Sequence, residues 1–543
     1  MSNQPMKFIV QTLARMFHGT PKSTTDCVSG EAPIPRSGQF RQPGRGGDAA
    51  PTRTGQLCRL GTVAALLLAA AAQAEETNRP VRSLTLPECI ERALASNLDL
   101  KLQRLNPSIA DWGVVQAQGV FDPSLVRGAN YRDTTTPIST NSPLTTLETR
   151  QLALSAAVTG KLATGTGYSL SGTGEHITPA FLPYSGGPTL TLSQPLLKNF
   201  GLDPNLAVIR VARKLRGIAG QQFLQQVINT ISAVNNAYYE LVYAIENHKA
   251  TVEDLDRAKQ LLAEDRKRVE IGTMSPLDVV QAEAGVALGV QSVIISERVV
   301  RDNENALKRL ITQDVLAWQD QALAPASILK FEMVDPSVTN HIRLALEKRP
   351  DFVAAREELE RRNILVKFNR NQLLPEIDLQ GSYGLSGLGE TTGRFSDSIA
   401  DAQYPAWGVG VTVTFPLGNR QARANYHIAR LQSDQQVIAL KSLEQDILVE
   451  VDNAVRLVQS NLKSVEATEA ARRYAVESLK AEETKLKAGS STTFLVLQAQ
   501  SQLAAAISAE IRARADYAKS LVALAQVEGT TLERHNIKLD EGH

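Results

Sequence analysis

The chain has 543 residues, with 58 basic and 57 acidic side chains and a formal charge of +1. Both signs are mixed along the sequence, so there is no basic stripe to neutralise phosphates, and nucleic acid is excluded as a natural partner. Aromatic residues are only 5% of the chain, fewer than a large globular core uses, which points to long helices instead.

Residues 1–74 read as an N-terminal extension and a secretory signal peptide. Residues 18–56 are crowded with Gly, Pro, Ser, Thr and Arg and hold too little apolar surface to order themselves. Arg59, the apolar run from Leu60 to Ala72 and the small-x-small stretch Ala72-Gln73-Ala74 form the three parts of a signal, with cleavage expected after Ala74. The run is too short to cross ~30 Å of hydrocarbon. Cys58 precedes it and so cannot be the acylated cysteine of a lipoprotein. Cleavage leaves Cys89 alone, which rules out an internal disulfide framework or a CxxC metal site. No later segment reads as apolar for ~20 residues, so no spanning helix is expected and entry into a membrane requires a closed barrel.

The rest of the chain repeats itself. Ile271 to Glu283 aligns without gaps with Ala488 to Gln500, and each begins at a glycine turn, Gly272 or Gly489. Earlier in each copy, Ile90-Glu-Arg-Ala-Leu94 matches Ile342-Arg-Leu-Ala-Leu346, and Pro123 matches Pro375. The spacings differ by roughly 35 residues, which the first copy carries as an insertion between Pro123 and about residue 228. The expected organisation is repeat 1 over 84–312, a linker over 313–340, repeat 2 over 341–529 and a tail over 530–543.

In each repeat a helix comes first, followed by strands. In the second repeat, Trp407, Val409, Val411, Val413 and Phe415 alternate with Gly408, Gly410, Thr412 and Thr414, and Ile377, Leu379, Tyr383 and Leu385 alternate in the same way. Period two over about ten residues suits a tilted barrel strand with one face to lipid and one to a wet lumen. The predicted hairpin there covers 376–416. The first copy has strand-like segments near 124–131, 151–159, 166–173 and 189–194 within 121–195, and the extra pair either extends the outer hairpin or adds to the wall. Pro195 and Pro416 lie where strand gives way to helix, as a residue without an amide donor should. Two hairpins, four strands, cannot close a barrel, so several chains are required.

Then come the long helices. From Asn205 to Ser275 there is no proline, and from Asn419 to Ala488 neither proline nor glycine. Val227, Ile231, Val234, Tyr238, Leu241, Ile245, His248, Val252 and Leu255 alternate steps of four and three, as do Leu448, Val451, Val455, Val458, Leu462 and Val465. That is a coiled-coil seam. About 65 residues would run on the order of 100 Å. After each glycine turn a second helix returns antiparallel. His248 on the seam reads as a packed side chain with its polar edge satisfied.

In its entry motif (Leu84-Thr-Leu-Pro-Glu-Cys-Ile-Glu-Arg-Ala-Leu94), its strand-exit prolines and its two glycine turns ending in Gln-Ala, the chain resembles the outer-membrane efflux protein family of TolC-like channels. The resemblance implies a mixed α/β membrane protein: a trimeric, 12-stranded outer-membrane β-barrel continued by a long α-helical coiled-coil tunnel in the periplasm, built from two repeats per chain. It implies a passive duct serving a tripartite efflux pump or a type I secretion system. Its partners would be a homotrimer, a periplasmic adaptor (membrane fusion) protein, an inner-membrane transporter and outer-membrane lipid. The periplasmic tips, with Gly272, Thr273, Ser275, Asp278, Gly489, Ser490, Leu495 and Gln498, would form the gate and dock the adaptor. The best-known member of the family carries two aspartates at the second tip, where this chain has Leu495 and Gln498. Its tethering arginine and tyrosine correspond to Ser491 and Leu486, and only Asp278 is retained, either as a gate acid or as a helix cap. No catalytic motif, cofactor site or metal-ligand cluster is found. The competing reading is a periplasmic coiled-coil scaffold or adaptor, which leaves the alternating strands unexplained.

Overall fold

A computed structural model describes residues 80–138, 145–326 and 337–537; the expected signal and its cleavage site lie outside the described residues. The order of elements is β1 (Val81–Leu84), α1 (Leu86–Ser96), α2 (Leu98–Gln118), β2 (Ser124–Ile138), β3 (Thr145–Lys161), β4 (Gly167–Thr178), β5 (Tyr184–Pro195), α3 (Ala207–Glu270) and α4 (Pro276–Ile311). The second half follows as β6 (Ala322–Pro325), α5 (Val338–Lys348), α6 (Pro350–Asn371), β7 (Glu376–Leu385), β8 (Gly387–Gly389), α7 (Thr392–Ala400), β9 (Pro405–Thr414), α8 (Arg420–Lys487) and α9 (Thr493–Glu528).

α3 and α8, of 64 and 68 residues, form where the sequence lacks breakers, each roughly 100 Å long at 1.5 Å per residue. A helix of that length is held by packing along its seam, not by propensity. Val227, Ile231, Val234, Tyr238 and Leu241 of α3 are buried with Leu84, Cys89, Ile90 and Ala93 of the first segment and Leu307 and Ile311 of α4. Each fully buried side chain of this size contributes ~1.5–3 kcal/mol. On α8, Val451, Val455, Val458 and Val465 are buried as the spacing predicts, but Leu448 is exposed and Ile447 is fully buried instead. A step of four rather than three back from Val451 points the side chain into the cluster of Ala345 and Phe352.

α3 and α4 pack as one antiparallel hairpin and α8 and α9 as another, with α3 against α9 joining the two. Nearer the sheet, α2 packs on α3, α3 on α6, and α6 on α8. Midway along, β1 and β6 pair in parallel, Val81 with Ala322 through Leu84 with Pro325. Asn97 caps α2 by accepting from the Leu100 amide and donates to the Leu310 carbonyl at 3.2 Å, tying the chain's first helices to the end of α4.

The sheet departs from expectation in number. Its order is β2-β3-β4-β5-β7-β9, with short β8 pairing β5. Among the described residues one sheet thus holds six long strands, two more than the two hairpins expected. The inserted residues form hairpin β3–β4, paired in line between β2 and β5. The β8–α7 excursion between β7 and β9 was also unforeseen. One further correction concerns α4. Contrary to expectation, it is long and apolar enough to cross a membrane. It packs along α3, though, whose facing stretch carries Glu246, Lys249, Asp254 and Arg257, and charges in hydrocarbon are costly.

Candidate functional site: the helix tips and the sheet faces

Both tips are built by the same local rule. Gly272 and Gly489 have φ of +77° and +74°, a conformation that strains any residue with a Cβ. At the first tip the Gly272 amide donates to the Val269 carbonyl and the Thr273 amide to Arg268. At the second, the Gly489 amide donates to Leu486 and the Ser490 amide to Lys485. These paired bonds satisfy the last carbonyls of α3 and α8 and turn the chain sharply. Each return helix is then capped. Ser275 accepts from the Leu277 amide at 3.2 Å, and Asp278 accepts from the Ser275 amide at 3.2 Å. Together they make a reciprocal capping box. Thr492 caps α9 by its side chain alone, accepting from the Leu495 amide.

Asp278 is therefore engaged as a cap. Leu495 and Gln498 are exposed on α9 beside Phe494. Leu486 is buried with Leu479, Val496 and Leu503. Ser491 donates to Glu482 at 2.8 Å; that carboxylate also meets Lys485, and the two partners, Lys485 first, hold it below the usual carboxylate range. Each tip thus holds its own turn with local bonds, and Met274 of the first packs against the cluster of Leu479, Leu486 and Val496 beside the second.

Close to the tips the two hairpins are also joined through Asp265 and Thr493, both fully buried. The Thr493 hydroxyl of α9 donates to Asp265 Oδ2 of α3 at 3.1 Å. Asp265 Oδ1 has no hydrogen-bond partner among the described residues. Burial pushes this carboxyl up, the bond from Thr493 and the nearby Arg268 oppose that, and the neighbouring Asp278 and Glu264 add to it. Sequence reasoning did not single out this pair. The signal was available: Leu255, Ala258, Leu261 and Asp265 continue the α3 seam in steps of three and four, so an acid stands where an apolar residue belongs. Next to it a cavity of about 220 Å³ is lined by Arg257, Glu264, Arg268, Glu483, Lys487 and Gln500, among others. On the seam above, His248 Nδ1 lies 2.9 Å from the Ser296 hydroxyl.

At the other end, strand pairing sorts side chains onto two faces. Trp407, Val409, Val411 and Val413 of β9 lie opposite Tyr383, Gly381, Leu379 and Ile377 of β7. That face continues through Leu190 and Leu192 of β5, Leu170 and Tyr168 of β4, Leu152, Leu154 and Val158 of β3, and Leu125 and Tyr131 of β2. Trp407 is 77% exposed and Val409 71%. The reverse face carries Thr412, Gln380, Ser382, Thr191, Ser193, Ser169, Ser171, Ser155 and Asn130. Tyr131, His176, Tyr184, Tyr383 and Trp407 gather on the apolar face toward the end away from the helices. Arg127 is the one basic residue inside the band on β2, near the helical end, where a long side chain can reach polar surroundings. Phe415 follows β9 and is exposed.

Pro195 ends β5 opposite Asp378, and the chain leaves it stitched to the second half. The Leu196 amide donates to Ile377, Lys198 pairs with Glu376 at 2.9 Å, and the Asn199 amide donates to Asn371 at 2.7 Å. Pro416 is exposed, and the chain enters α8 through Asn419, whose amide side chain donates to the Leu373 carbonyl at 3.1 Å. Among the described residues no cluster of three or more His, Cys, Asp or Glu is placed to hold a metal ion.

A family model described as outer membrane efflux protein matches residues 182–313 and 341–530. The chain belongs to the outer membrane efflux protein family. Outer membrane protein OprJ of Pseudomonas aeruginosa is 26% identical over 280 residues, covering 50% of this chain and 55% of the relative. Outer membrane protein TolC of Vibrio cholerae is 24% identical over 341 residues, 61% of this chain and 74% of that protein. The chain thus spans only about half of OprJ's length. The same fold occurs in the outer-membrane channel OprN, with a TM-score of 0.63 at 16% identity, covering 82% of this chain and 90% of that one. It occurs also in the Campylobacter jejuni CmeC outer membrane channel, with a TM-score of 0.62 at 16% identity, covering 86% and 94%. As a member of this efflux family, the chain is an outer-membrane protein.

Proposed function

We propose that the chain is one protomer of a homotrimeric exit duct, serving a tripartite efflux pump or a type I secretion system. The carrying observation is the union, in one chain, of a sheet with one apolar and one polar face and two helical hairpins about 100 Å long. A sheet of that kind fits a bilayer on one side and a wet lumen on the other. The hairpins reach from it toward a partner that a soluble domain would meet without such length. In this reading Trp407, Val409, Val411, Val413 and Phe415 face lipid, and Pro195 and Pro416 mark the passage from barrel to tunnel. The β1–β6 pair, with the described parts of the segments 313–340 and 530–543, belongs to a belt around the middle. The tips at Gly272 and Gly489 close the entrance and meet the adaptor. The duct performs no chemistry, and the transporter supplies the energy. A periplasmic scaffold would leave a continuous apolar sheet face in water, which soluble proteins avoid.

Expression in a Gram-negative host, with membrane fractionation and electrophoresis with and without boiling, tests the reading. The expected result is an outer-membrane fraction and a heat-sensitive, slowly migrating oligomer. Recovery as a soluble periplasmic monomer would overturn it.

A further inference from the structure

We infer that the barrel is closed by β9 of one protomer pairing antiparallel with β2 of the next copy, so that the wall contains eighteen strands, six from each of three chains. The inference rests on the duct reading above and specifies its interface. Three observations support it. First, β3 and β4 are not an appendage on the outer loop. They are paired in line over most of their length, and their apolar and polar residues fall on the same two faces as those of β5, β7 and β9. A hairpin standing clear of the membrane would have no reason to keep Leu152, Leu154, Val158 and Leu170 in the lipid-type register.

Second, the edges left over are those of β2 and β9, neither of which has an outer partner among the described residues. β2 runs away from the helices and β9 runs toward them, so two copies side by side offer edges of opposite direction, ready for an antiparallel ladder. In hydrocarbon an open edge leaves backbone donors and acceptors without partners, at several kcal/mol each.

Third, the arc fits what carries it. Strands ~4.8 Å apart and tilted by ~40° occupy ~6.3 Å of circumference each, so six take ~38 Å. The four helices beneath, α2, α3, α6 and α8, take ~32–40 Å at 8–10 Å between axes. Four strands would cover only ~25 Å of the same arc.

Face continuity also sets a parity rule. On β2 the even-numbered residues from Ser124 to Arg132 share the polar face, as do Gly408, Gly410, Thr412 and Thr414 on β9. Disulfides across the seam should therefore form between even and even positions and not between even and odd ones. The test uses the full-length chain in outer membranes. Val126→Cys, Asn130→Cys or Arg132→Cys is combined in turn with Gly410→Cys or Thr412→Cys, and each also with Val409→Cys as the odd-numbered control. Cys89 is fully buried and remains as background. Single-cysteine variants that still run as the heat-sensitive oligomer show that folding survives. Oxidation should give covalently closed rings for at least one even–even pair and none for even–odd pairs. End-on electron-microscopy averages should show a barrel about 1.5 times as wide as a 12-stranded one, since diameter scales with strand number.

The alternative seam is probed with Thr412→Cys against Ser169→Cys or Ser171→Cys on β4. Cross-links there, or an oligomer in the membrane with no β2–β9 cross-link, would overturn the eighteen-stranded wall and leave the duct standing. Absence from the outer membrane altogether would overturn both.

Discussion

A charge placed on β9 should have opposite consequences at adjacent positions. The apolar side chains of β9 run from Trp407 to Val413, six residue steps. At ~3.3 Å per residue that is ~20 Å of strand, or ~15 Å of depth when tilted by ~40°. Val411 lies one residue from the middle of this band and is 60% exposed in the isolated protomer. Arginine at a lipid-facing position near the bilayer centre costs ~2–4 kcal/mol. Thr412, paired with Asp378, projects from the other face, where an arginine stays hydrated beside an acid. Val411→Arg should therefore lower the folding equilibrium of each protomer by ~30- to 700-fold, at a factor of ten per 1.4 kcal/mol. Thr412→Arg should leave it nearly unchanged. The assay is urea-driven unfolding in lipid vesicles, followed by the loss of heat-sensitive mobility. Equal losses for both variants, or none for either, would show that the two faces do not see lipid and water, and the barrel reading would fail with them.

The buried contact between the helical hairpins should respond to pH. The Asp265 carboxyl is raised by burial, so the folded tip binds a proton more tightly than the unfolded chain. Stability of this contact should then fall as pH rises from the ordinary carboxylate range through the raised value. The opening free energy from hydrogen exchange around Asp265 and Thr493, with the intrinsic pH dependence of amide exchange removed, should rise on going from pH 7 toward pH 4.5, by no more than the ~1–3 kcal/mol cost of an unsatisfied buried group. Asp265→Asn should flatten that profile, and an unchanged slope in the variant would assign the effect to another group. Ile447→Ala should destabilise by ~2–5 kcal/mol, as a fully buried aliphatic does, while Leu448→Ala should cost well under half of that in the same melt. In planar bilayers, Asp278→Asn should conduct without tight block by trivalent cations from the tip side, because Leu495 and Gln498 offer no carboxylates there. Adding Leu495→Asp and Gln498→Asp should create block. Tight block in Asp278→Asn alone would place the constriction on other residues.

Much of this architecture was legible because its rules are local. Freedom from proline, and in the second copy from glycine as well, fixed the helices to within a few residues, and the two tips followed from Gly272 and Gly489. The faces of β7 and β9 followed from strict alternation at Ile377–Leu385 and Trp407–Val413. What was not legible depends on who pairs with whom. The strand-like pattern near residues 151–173 was visible, yet a hairpin beyond the membrane and a hairpin within the wall share a period of two. The pairing of Leu152 with His176 and of Leu170 with Leu190 places it in line within the sheet, which spacing alone does not show. The choice between Ile447 and Leu448 depended on where Ala345 sits, which spacing along α8 cannot reveal. Asp265 was passed over because an acid in a helix rich in acids attracts no notice. Its burial depends on Thr493, more than two hundred residues away.

The parallel pair of β1 with β6 has a consequence for the order in which the molecule is made. Val81 cannot meet Ala322 until the whole first half has been synthesised, and the loop it closes contains two long helices and four strands. Such a contact repays its loop-closure entropy late, since local helices and hairpins gain their bonds first. Strand β1 must therefore wait with its edge unpaired until Ala322 arrives, although Leu84 and Ile90 beside it can already pack on α3 and α4. That interval is when an unpaired strand edge is most open to chaperones, to proteases and to other copies of itself.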